Sequence, residues 1–416
     1  MKNLSTFCVI LWLLFAGYRI SYSQTDIGGE LSASTTLTKS GSPYLVNTIT
    51  VPAGITLTIE AGAVLKFKGA WENINVYGTL KVNGTANDPV FFTSIKDDSD
   101  GNDSNADGNA SVPAKGDWAA VILRATSSGN QLNHTYLRYG GGAGTSSSLE
   151  ISSGQSELNA CKIDYSVERG ITIYDCSPDI HDCSFTGNQT DGMYIHGLDA
   201  TKTLNFYNNT FTDNVNWAVN CNLKENSADI TLSGNSSTGS AHNGFGIFGA
   251  LASDVTFDGN DGFPFIVNTS VVVREGASLK FTAGTVIKFN YTWDNMDVYG
   301  TLITDGSVGY PVVFTSLKDD VYGGDTNGDL DATAAGYGDW AAVILRATSS
   351  GNQLDHTYLR YGGGAGTSSS LEMYSGQSEL NACKIDYSVE RGINIYGCSP
   401  DIHDCSFTGN QTDGMY

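Results

Sequence analysis

The chain has 416 residues with 8 Pro, 49 Gly, 40% hydrophobic side chains and a formal net charge of −22. So much acid repels nucleic acid and anionic membrane surfaces and attracts cations, while the apolar share is that of a chain with a core, which excludes a disordered one. Tyr, Phe, Thr, Ser and Asn are plentiful and no long stretch repeats apolar residues every 3.6 positions, so a helical bundle is excluded and an all-β chain is predicted.

The amino terminus carries Lys2, an apolar run from Phe7 to Gly17, and Ser21-Tyr22-Ser23 before Gln24. This order predicts a secretory signal peptide over residues 1–23, and so a secreted or cell-surface protein. A membrane anchor needs about 18–20 apolar residues; this run is shorter and is broken by Arg19, and the rest of the chain holds no candidate span. Loss of Cys8 with the signal leaves seven cysteines, Cys161, Cys176, Cys183, Cys221, Cys383, Cys398 and Cys405, so at least one thiol is expected to stay unpaired. Without a Cys-x-x-Cys or Cys/His zinc pattern they are read as small buried side chains.

Residues 24–41 form an N-terminal segment or cap. From Thr48 to Val82 apolar residues alternate through Ile49, Val51, Ile55, Leu57, Ile59, Leu65, Phe67, Ile74, Val76 and Leu80, punctuated by Pro52, Gly54, Gly62 and Gly78, which predicts short strands. An acidic insertion follows, Lys96 to Asn109, with a counterpart from Lys318 to Asp331. Oxygen side chains at i, i+2 and i+4 in a Gly-containing turn are how a loop wraps a hard cation such as Ca2+. Asp103, Asn105 and Asp107 fit, as do Asp325, Asn327 and Asp329. Position 12 is Ala114 or Gly336 rather than Glu, and no helices flank the loop, so this is not an EF-hand; Asp117 and Asp339 are candidates to close the site. Asp97, Asp98, Asp100, Asp103 and Asp107 lie within eleven residues, so a counterion is expected to relieve five like charges. The alternative is a solvated acidic loop.

At Gly116-Asp117-Trp118 a long repeat begins. Residues 116–194 match residues 338–416 at all but five positions, so the chain is a 222-residue unit written about one and three-quarter times. Unit 1 spans 42–262 and unit 2 spans 263–416 as an incomplete copy. It stops at Met415-Tyr416, equivalent to Met193-Tyr194 inside a predicted strand, so the chain is expected to be a fragment of a longer one. Within the unit, apolar triplets at Val121-Ile122-Leu123, Leu149-Glu150-Ile151, Ile171-Thr172-Ile173, Met193-Tyr194-Ile195, Ala218-Val219-Asn220 and Gly246-Ile247-Phe248 recur every 22–28 residues. Leu137, Ile163, Phe185 and Phe211 form a second column. Pieces this small must stack to bury a face, which predicts a right-handed parallel β-helix, a solenoid with 22–28-residue coils, roughly 15 of them and about 75 Å long at about 4.8 Å per coil. Cys161 then lies over Cys183 and Cys383 over Cys405, while Asn188, Asn214, Asn235 and Asn260 are expected to form one amide ladder at a corner.

Ala61-Gly62-Ala63-Val64-Leu65-Lys66-Phe67, Val76-Tyr77-Gly78-Thr79-Leu80, Pro89-Val90-Phe91-Phe92-Thr93-Ser94 and Gly116-Asp117-Trp118 together resemble exported bacterial right-handed parallel β-helix proteins, relatives of the pectin-lyase-like fold. That resemblance implies fold more than activity, since the family holds lyases, hydrolases, epimerases and adhesins. The Gly-His-Gly and Arg-Ile-Lys words of its hydrolases do not occur. The nearest lyase-like material is Lys162, Asp164, Glu168 and Arg169, repeated as Lys384, Asp386, Glu390 and Arg391, with His134 and Arg138 a coil earlier. If a catalytic site exists, Lys162, Arg169, Lys384 and Arg391 are its candidates; an Arg beside acids is otherwise a surface pair. Trp71, Trp118, Trp293 and Trp340 either form a face for stacking sugars or fill coil corners. The expectation is a secreted or cell-surface β-helix with a structural, adhesive or glycan-binding role, stabilised by Ca2+, with a polysaccharide or cell-surface glycan as partner. The alternative is a polysaccharide lyase or epimerase acting on acidic glycans.

Overall fold

The computed structural model describes residues 24–225, 228–259 and 262–416; the predicted signal peptide and Asn260 lie outside the described residues. One complete coil shows the construction. Ser156–Asn159, Lys162–Asp164 and Arg169–Tyr174 are three short strands joined by corners. Leu158, Ile163, Ile171 and Ile173 point inward and are fully buried, while Glu157 and Lys162 point out, as period-two alternation requires. The next coil sets Ile180 over Leu158, Phe185 over Ile163, and Met193 and Ile195 over Ile171 and Ile173. Each strand is therefore paired in parallel with the coil above and the coil below.

One face of the solenoid is a sheet of 14 strands, one per coil; the other two faces merge into a 26-stranded sheet. They merge because Tyr44–Val51 and Phe265–Val273 run round a corner, each pairing with two strands of the following coil. Residues 24–41 belong to the first coil, with Thr25–Glu30 on Tyr44–Val51 and Thr35–Leu37 on Thr56–Glu60. The described residues make 14 coils rather than about 15 because the acidic insertions lengthen a coil without adding one. Gln131 sits over Lys81, and Gln353 over Ile303, each 50 residues on. The two units form one solenoid: Phe245 pairs with Phe265 on one face and Phe257 with Phe281 on another.

The column Leu137, Ile163, Phe185, Phe211 is observed as predicted. Two of the triplets are not. Met193 pairs with Val219 and Val219 with Phe245, so the inward triplets are Val219-Asn220-Cys221 and Phe245-Gly246-Ile247, one residue from the expected positions. A one-residue slip reverses every side chain between core and solvent, and here it decides that Cys221 is buried against Ile195 rather than exposed.

The corners are single residues held in the left-handed region, at Ala160, Asp182 and Asn208 before the middle strand (φ 53°, 56° and 55°). That geometry turns one backbone N–H of each coil toward the next, and the residue after the corner accepts it. Asn235 Oδ1 takes the N–H of Asn209 at 2.9 Å, Asn209 Oδ1 that of Cys183 at 3.0 Å, and Cys183 Sγ that of Cys161 at 3.4 Å. Asn188 and Asn214 form a separate ladder at the far end of the middle strand, with Asn214 Oδ1 bonded to Asn188 Nδ2 at 2.8 Å. Asn235 thus belongs to the cysteine ladder and not to that of Asn214. Cys161 and Cys183 are stacked as expected, and all seven cysteines of the described residues are free thiols.

Trp118 and Trp340 are fully buried. Each lies flat on a core phenylalanine, Trp118 on Phe67 at 4.2 Å and Trp340 on Phe289 at 4.1 Å, and donates its indole N–H at 2.7 Å to the backbone oxygen of Arg138 or Arg360. They fill coil corners and offer nothing to a sugar; of the four predicted tryptophans, Trp71 and Trp293 are the exposed ones.

Candidate metal centre

The acidic loop of unit 1 leaves the solenoid after strand Val90–Ser94 and returns at Val121–Leu123. It is held from beneath by Lys66, a fully buried residue of strand Val64–Phe67 whose ammonium donates to the backbone oxygens of Asp97, at 2.7 Å, and Asn102. Lys288 does the same in unit 2, reaching Gly324 O at 2.6 Å and Thr326 Oγ1 at 2.5 Å. Burial lowers the pKa of both amines, despite the nearby carboxylates, and takes Lys288 down to about 8. Sequence reasoning missed these two residues; their signal is a lysine in an otherwise apolar strand, Val-Leu-Lys-Phe and Val-Ile-Lys-Phe.

Five clustered acids are not all left unpaired. Arg138, from the next coil, bonds Asp100 and lies 3.2 Å from Asp97. Burial would raise the Asp97 carboxyl, but hydrogen bonds from Ser99 and Thr93, together with Arg138, hold it below the usual range. In unit 2 Arg360 lies 3.1 Å from both Asp319 and Asp386 and covers the ring of Tyr322, which stands where unit 1 has Asp100. What remains in each loop is a trio: Asp98, Asp103 and Asp107, and Asp320, Asp325 and Asp329. One carboxylate oxygen of each lies within 4.8 Å of the others in its trio.

Three features make the trio a candidate cation site. Arg138, Lys96, Arg360 and Lys318 are committed to Asp97, Asp100, Asp117, Asp319, Asp386 and Asp339, the ammonium groups of Lys66 and Lys288 bond backbone and hydroxyl oxygens of the loop, and no ion pair among the described residues involves a member of either trio. Burial first, and then the like charge of Asp103, raises the pKa of Asp98; Asp320 is raised in the same direction, again chiefly by burial. Third, Asp98 Oδ1 and Asn105 Oδ1 are buried without a hydrogen-bond donor, and the same holds for Asp320 Oδ1 and Asn327 Oδ1. An unsatisfied buried oxygen calls for explanation, and this arrangement occurs in both copies.

Hydrogen bonds within the loop set its shape. Asp103 accepts the N–H groups of Asp107 and Gly108 at 3.1 and 3.0 Å, Asp107 accepts that of Ala110 at 2.9 Å, and Asn105 turns its amide N–H to Asp107 at 2.9 Å. Asp325, Asn327 and Asp329 repeat the scheme. The predicted triplets are therefore brought together. Asp117 and Asp339 are not part of the trio. Asp117 accepts from Ser94 Oγ at 2.8 Å and Ala114 N at 2.9 Å and pairs with Lys96 at 2.7 Å, fastening the end of the loop to the solenoid, and Asp339 does the same with Ser316, Gly336 and Lys318. Asp98 and Asp320 take the position proposed for them, and the donor set of three carboxylates and an amide oxygen suits a hard divalent cation.

Of the lyase-like residues, Asp386 is buried and burial raises the Asp164 carboxyl to about 6, while the four basic catalytic candidates each have a partner. Lys162 lies over the ring of Tyr136 at 4.6 Å; Arg169 pairs with Asp191 at 3.3 Å and covers Tyr194. Lys384 pairs with Asp386 at 2.9 Å, and Arg391 with Asp413 at 3.4 Å.

Compared with known proteins, residues 119–237 match the right handed beta helix region, and a second, overlapping match covers residues 147–314. No curated protein and no solved structure matches the chain. Among the described residues no helix is long and apolar enough to cross a membrane. With 14 parallel-paired coils, continuous across both units, and that family match, the chain is a right-handed parallel β-helix repeat protein.

Proposed function

We propose that this β-helix is an extracellular scaffold with a structural, adhesive or glycan-binding role, locked by one Ca2+ in each acidic loop. The observation that carries the calcium part is the trio with its two unsatisfied oxygens, reproduced in unit 2 although the neighbours Ser99 and Asp100 have become Val321 and Tyr322. Calcium takes about 6–8 oxygen ligands; Asp98, Asp103, Asp107 and Asn105 supply four side chains, with water and backbone oxygens completing the shell. The signal peptide expected at residues 1–23 supports an address outside the cell, where millimolar calcium fills even weak loop sites. A lyase or epimerase of acidic glycans needs a base free of its neighbours, and Arg169 and Arg391 are held by Asp191 and Asp413, so the scaffold is the better supported role.

Calorimetric titration of the metal-stripped chain should find two calcium sites and a rise in melting temperature by mass action. Asp103→Ala and Asp325→Ala should each remove one site. Asp98→Ala should also remove one, while Asp117→Ala should keep both and lower only stability. Millimolar calcium giving neither heat nor a shift in melting would reduce the loops to acidic insertions.

A further inference from the structure

Beside the second acidic loop the chain presents two aromatic rings to solvent. Asp294 is fully buried and its Oδ2 accepts the backbone N–H groups of Asn290 and Tyr291 at 3.2 and 3.0 Å, while its own N–H closes a turn onto Tyr291 O at 2.9 Å. The turn is thus anchored from inside, and it holds the rings of Tyr291 and Trp293 stacked on one another, with centroids 5.0 Å apart and planes within 11°. Both stay open to solvent, Tyr291 at 42% and Trp293 at 59% exposure. They form one wall of a concavity of about 470 Å³ whose other wall includes Lys318, Asn327, Asp329, Thr333 and Asp339. That volume falls in the usual range for small-ligand sites, about 300–1,000 Å³.

We propose that this concavity is a saccharide-binding subsite for a neutral oligosaccharide, with Trp293 and Tyr291 as the stacking platform and the loop of Asn327, Asp329 and Thr333 as the hydrogen-bonding wall. A pyranose ring has an apolar C–H face and a rim of hydroxyls. An exposed indole with a phenol beside it offers flat apolar surface to the first, and carboxylate, amide and hydroxyl groups bond the second. The charge of the wall selects among sugars. It carries two carboxylates and one lysine, and Lys318 is already paired with Asp339 at 2.9 Å, so in the cation-free loop Asp329 repels a uronate chain and not a neutral sugar. Unit 1 has Gly69 where unit 2 has Tyr291, leaving Trp71 without that neighbouring ring, so the platform is a property of unit 2. Asn327 and Asp329 also belong to the loop assigned to calcium, so cation binding fixes the polar wall and strengthens sugar binding. The subsite rests on the glycan-binding reading above, and this last dependence rests on the calcium reading.

The test uses the full chain, following tryptophan fluorescence and titration heat with cellohexaose, mannohexaose and N-acetylchitohexaose, with hexagalacturonate as the charged comparison, each with calcium and after chelation. At least one neutral hexasaccharide should bind. Trp293→Ala and Tyr291→Ala should each weaken it tenfold or more without changing the melting temperature, Trp71→Ala should leave it unchanged, and chelation should weaken it severalfold. No binding of any neutral probe at millimolar concentration, tighter binding of hexagalacturonate, or binding indifferent to both Trp293→Ala and Tyr291→Ala would overturn the subsite. Calcium heat without sugar binding removes the subsite and leaves the cation sites standing. Trp293-dependent sugar binding without calcium heat removes the cation sites and leaves the subsite standing.

Discussion

Asp294 shows how one buried side chain makes stability depend on pH. Burial pushes its carboxyl up to about 7, against the backbone hydrogen bonds from Tyr291 and Asn290 that act the other way, and its Oδ1 is buried without a hydrogen-bond partner. In the unfolded chain an aspartate titrates near 4, so between about pH 4 and 7 the folded state holds a proton that the unfolded state has lost. Stability contributed by this group is therefore complete below pH 4, falls as pH rises through that window, and levels off above 7, with an upper bound of about 4 kcal/mol. Urea unfolding at a series of pH values should show that decline in the native chain and a flatter profile in Asp294→Asn, which keeps an acceptor for Asn290 and Tyr291 but has no proton to lose. At pH 8 the variant should be the more stable of the two. Parallel profiles would mean that Asp294 titrates normally. The trio behaves differently at the same scale: the raised Asp98 and Asp320 must lose their protons to bind a cation, so calcium affinity should fall as the medium is acidified.

Among the elements, the corner ladder is the one in which chemistry varies while geometry holds. Asn235 and Asn209 each accept a backbone N–H from the preceding coil and donate an amide N–H to a backbone oxygen of that same coil, Asn235 to Phe206 O at 2.7 Å and Asn209 to Ile180 O at 3.0 Å. Cys183 occupies the same rung with a thiol, accepting from Cys161 N at 3.4 Å and approaching Leu158 O at 3.6 Å. Cys183→Asn should accordingly extend the ladder and leave stability unchanged or raise it by up to about 1 kcal/mol, while Cys183→Ala should cost about 1–2 kcal/mol through lost packing. Equilibrium unfolding of the two variants separates the outcomes; equal losses would show that the rung packs but does not bond. This corner also explains what the sequence could and could not reveal. The column Leu137, Ile163, Phe185, Phe211 was legible because each member is large and can face only inward. Ala218-Val219-Asn220 and Gly246-Ile247-Phe248 slipped by one because small residues fit either face, and Asn235 was placed in the wrong ladder because both corners use the same residue type. In the acidic loop, Asp103 and Asp107 were legible from local spacing. Asp98 was legible only as one of five clustered acids, not as the third of a trio, and Lys66 and Arg138 were not legible at all, since tertiary structure alone brings a strand from an earlier coil and an arginine from the next coil to one loop. Trp118 and Trp71 are both indoles beside an acidic residue, Asp117 and Glu72, and Phe67 lying beneath the first makes it core.

For the whole molecule, duplication raises the question of whether two copies melt as one body or two. In a solenoid each coil contacts only its neighbours, so stability is a sum of coil terms and interface terms along one dimension. Unit 1 meets unit 2 through two strand pairs, His242–Leu251 on Phe265–Val273 and Val255–Gly259 on Ser278–Thr282, and Phe257 lies at the centre of the second. Phe257 stacks on Phe265 at 5.2 Å and meets Phe281 edge-on at 5.9 Å, and Val255 pairs with Leu279 beside it. Phe257→Ala should remove about 3–5 kcal/mol, and in a one-dimensional array that loss falls on the coils that meet at the boundary, Ile230 on one side and Phe265 and Phe281 on the other. The native chain should melt in a single calorimetric transition, and the variant should resolve into two. Each transition should then answer to its own loop: Asp103→Ala added to Phe257→Ala should lower the transition of unit 1 alone, and Asp325→Ala that of unit 2 alone, when calcium is present. Hydrogen exchange would assign them, with early exchange confined to strands on one side of Phe257. A single transition that merely moves to lower temperature would show that the two units are coupled by more than this interface, and that a nearest-neighbour description of the solenoid does not hold.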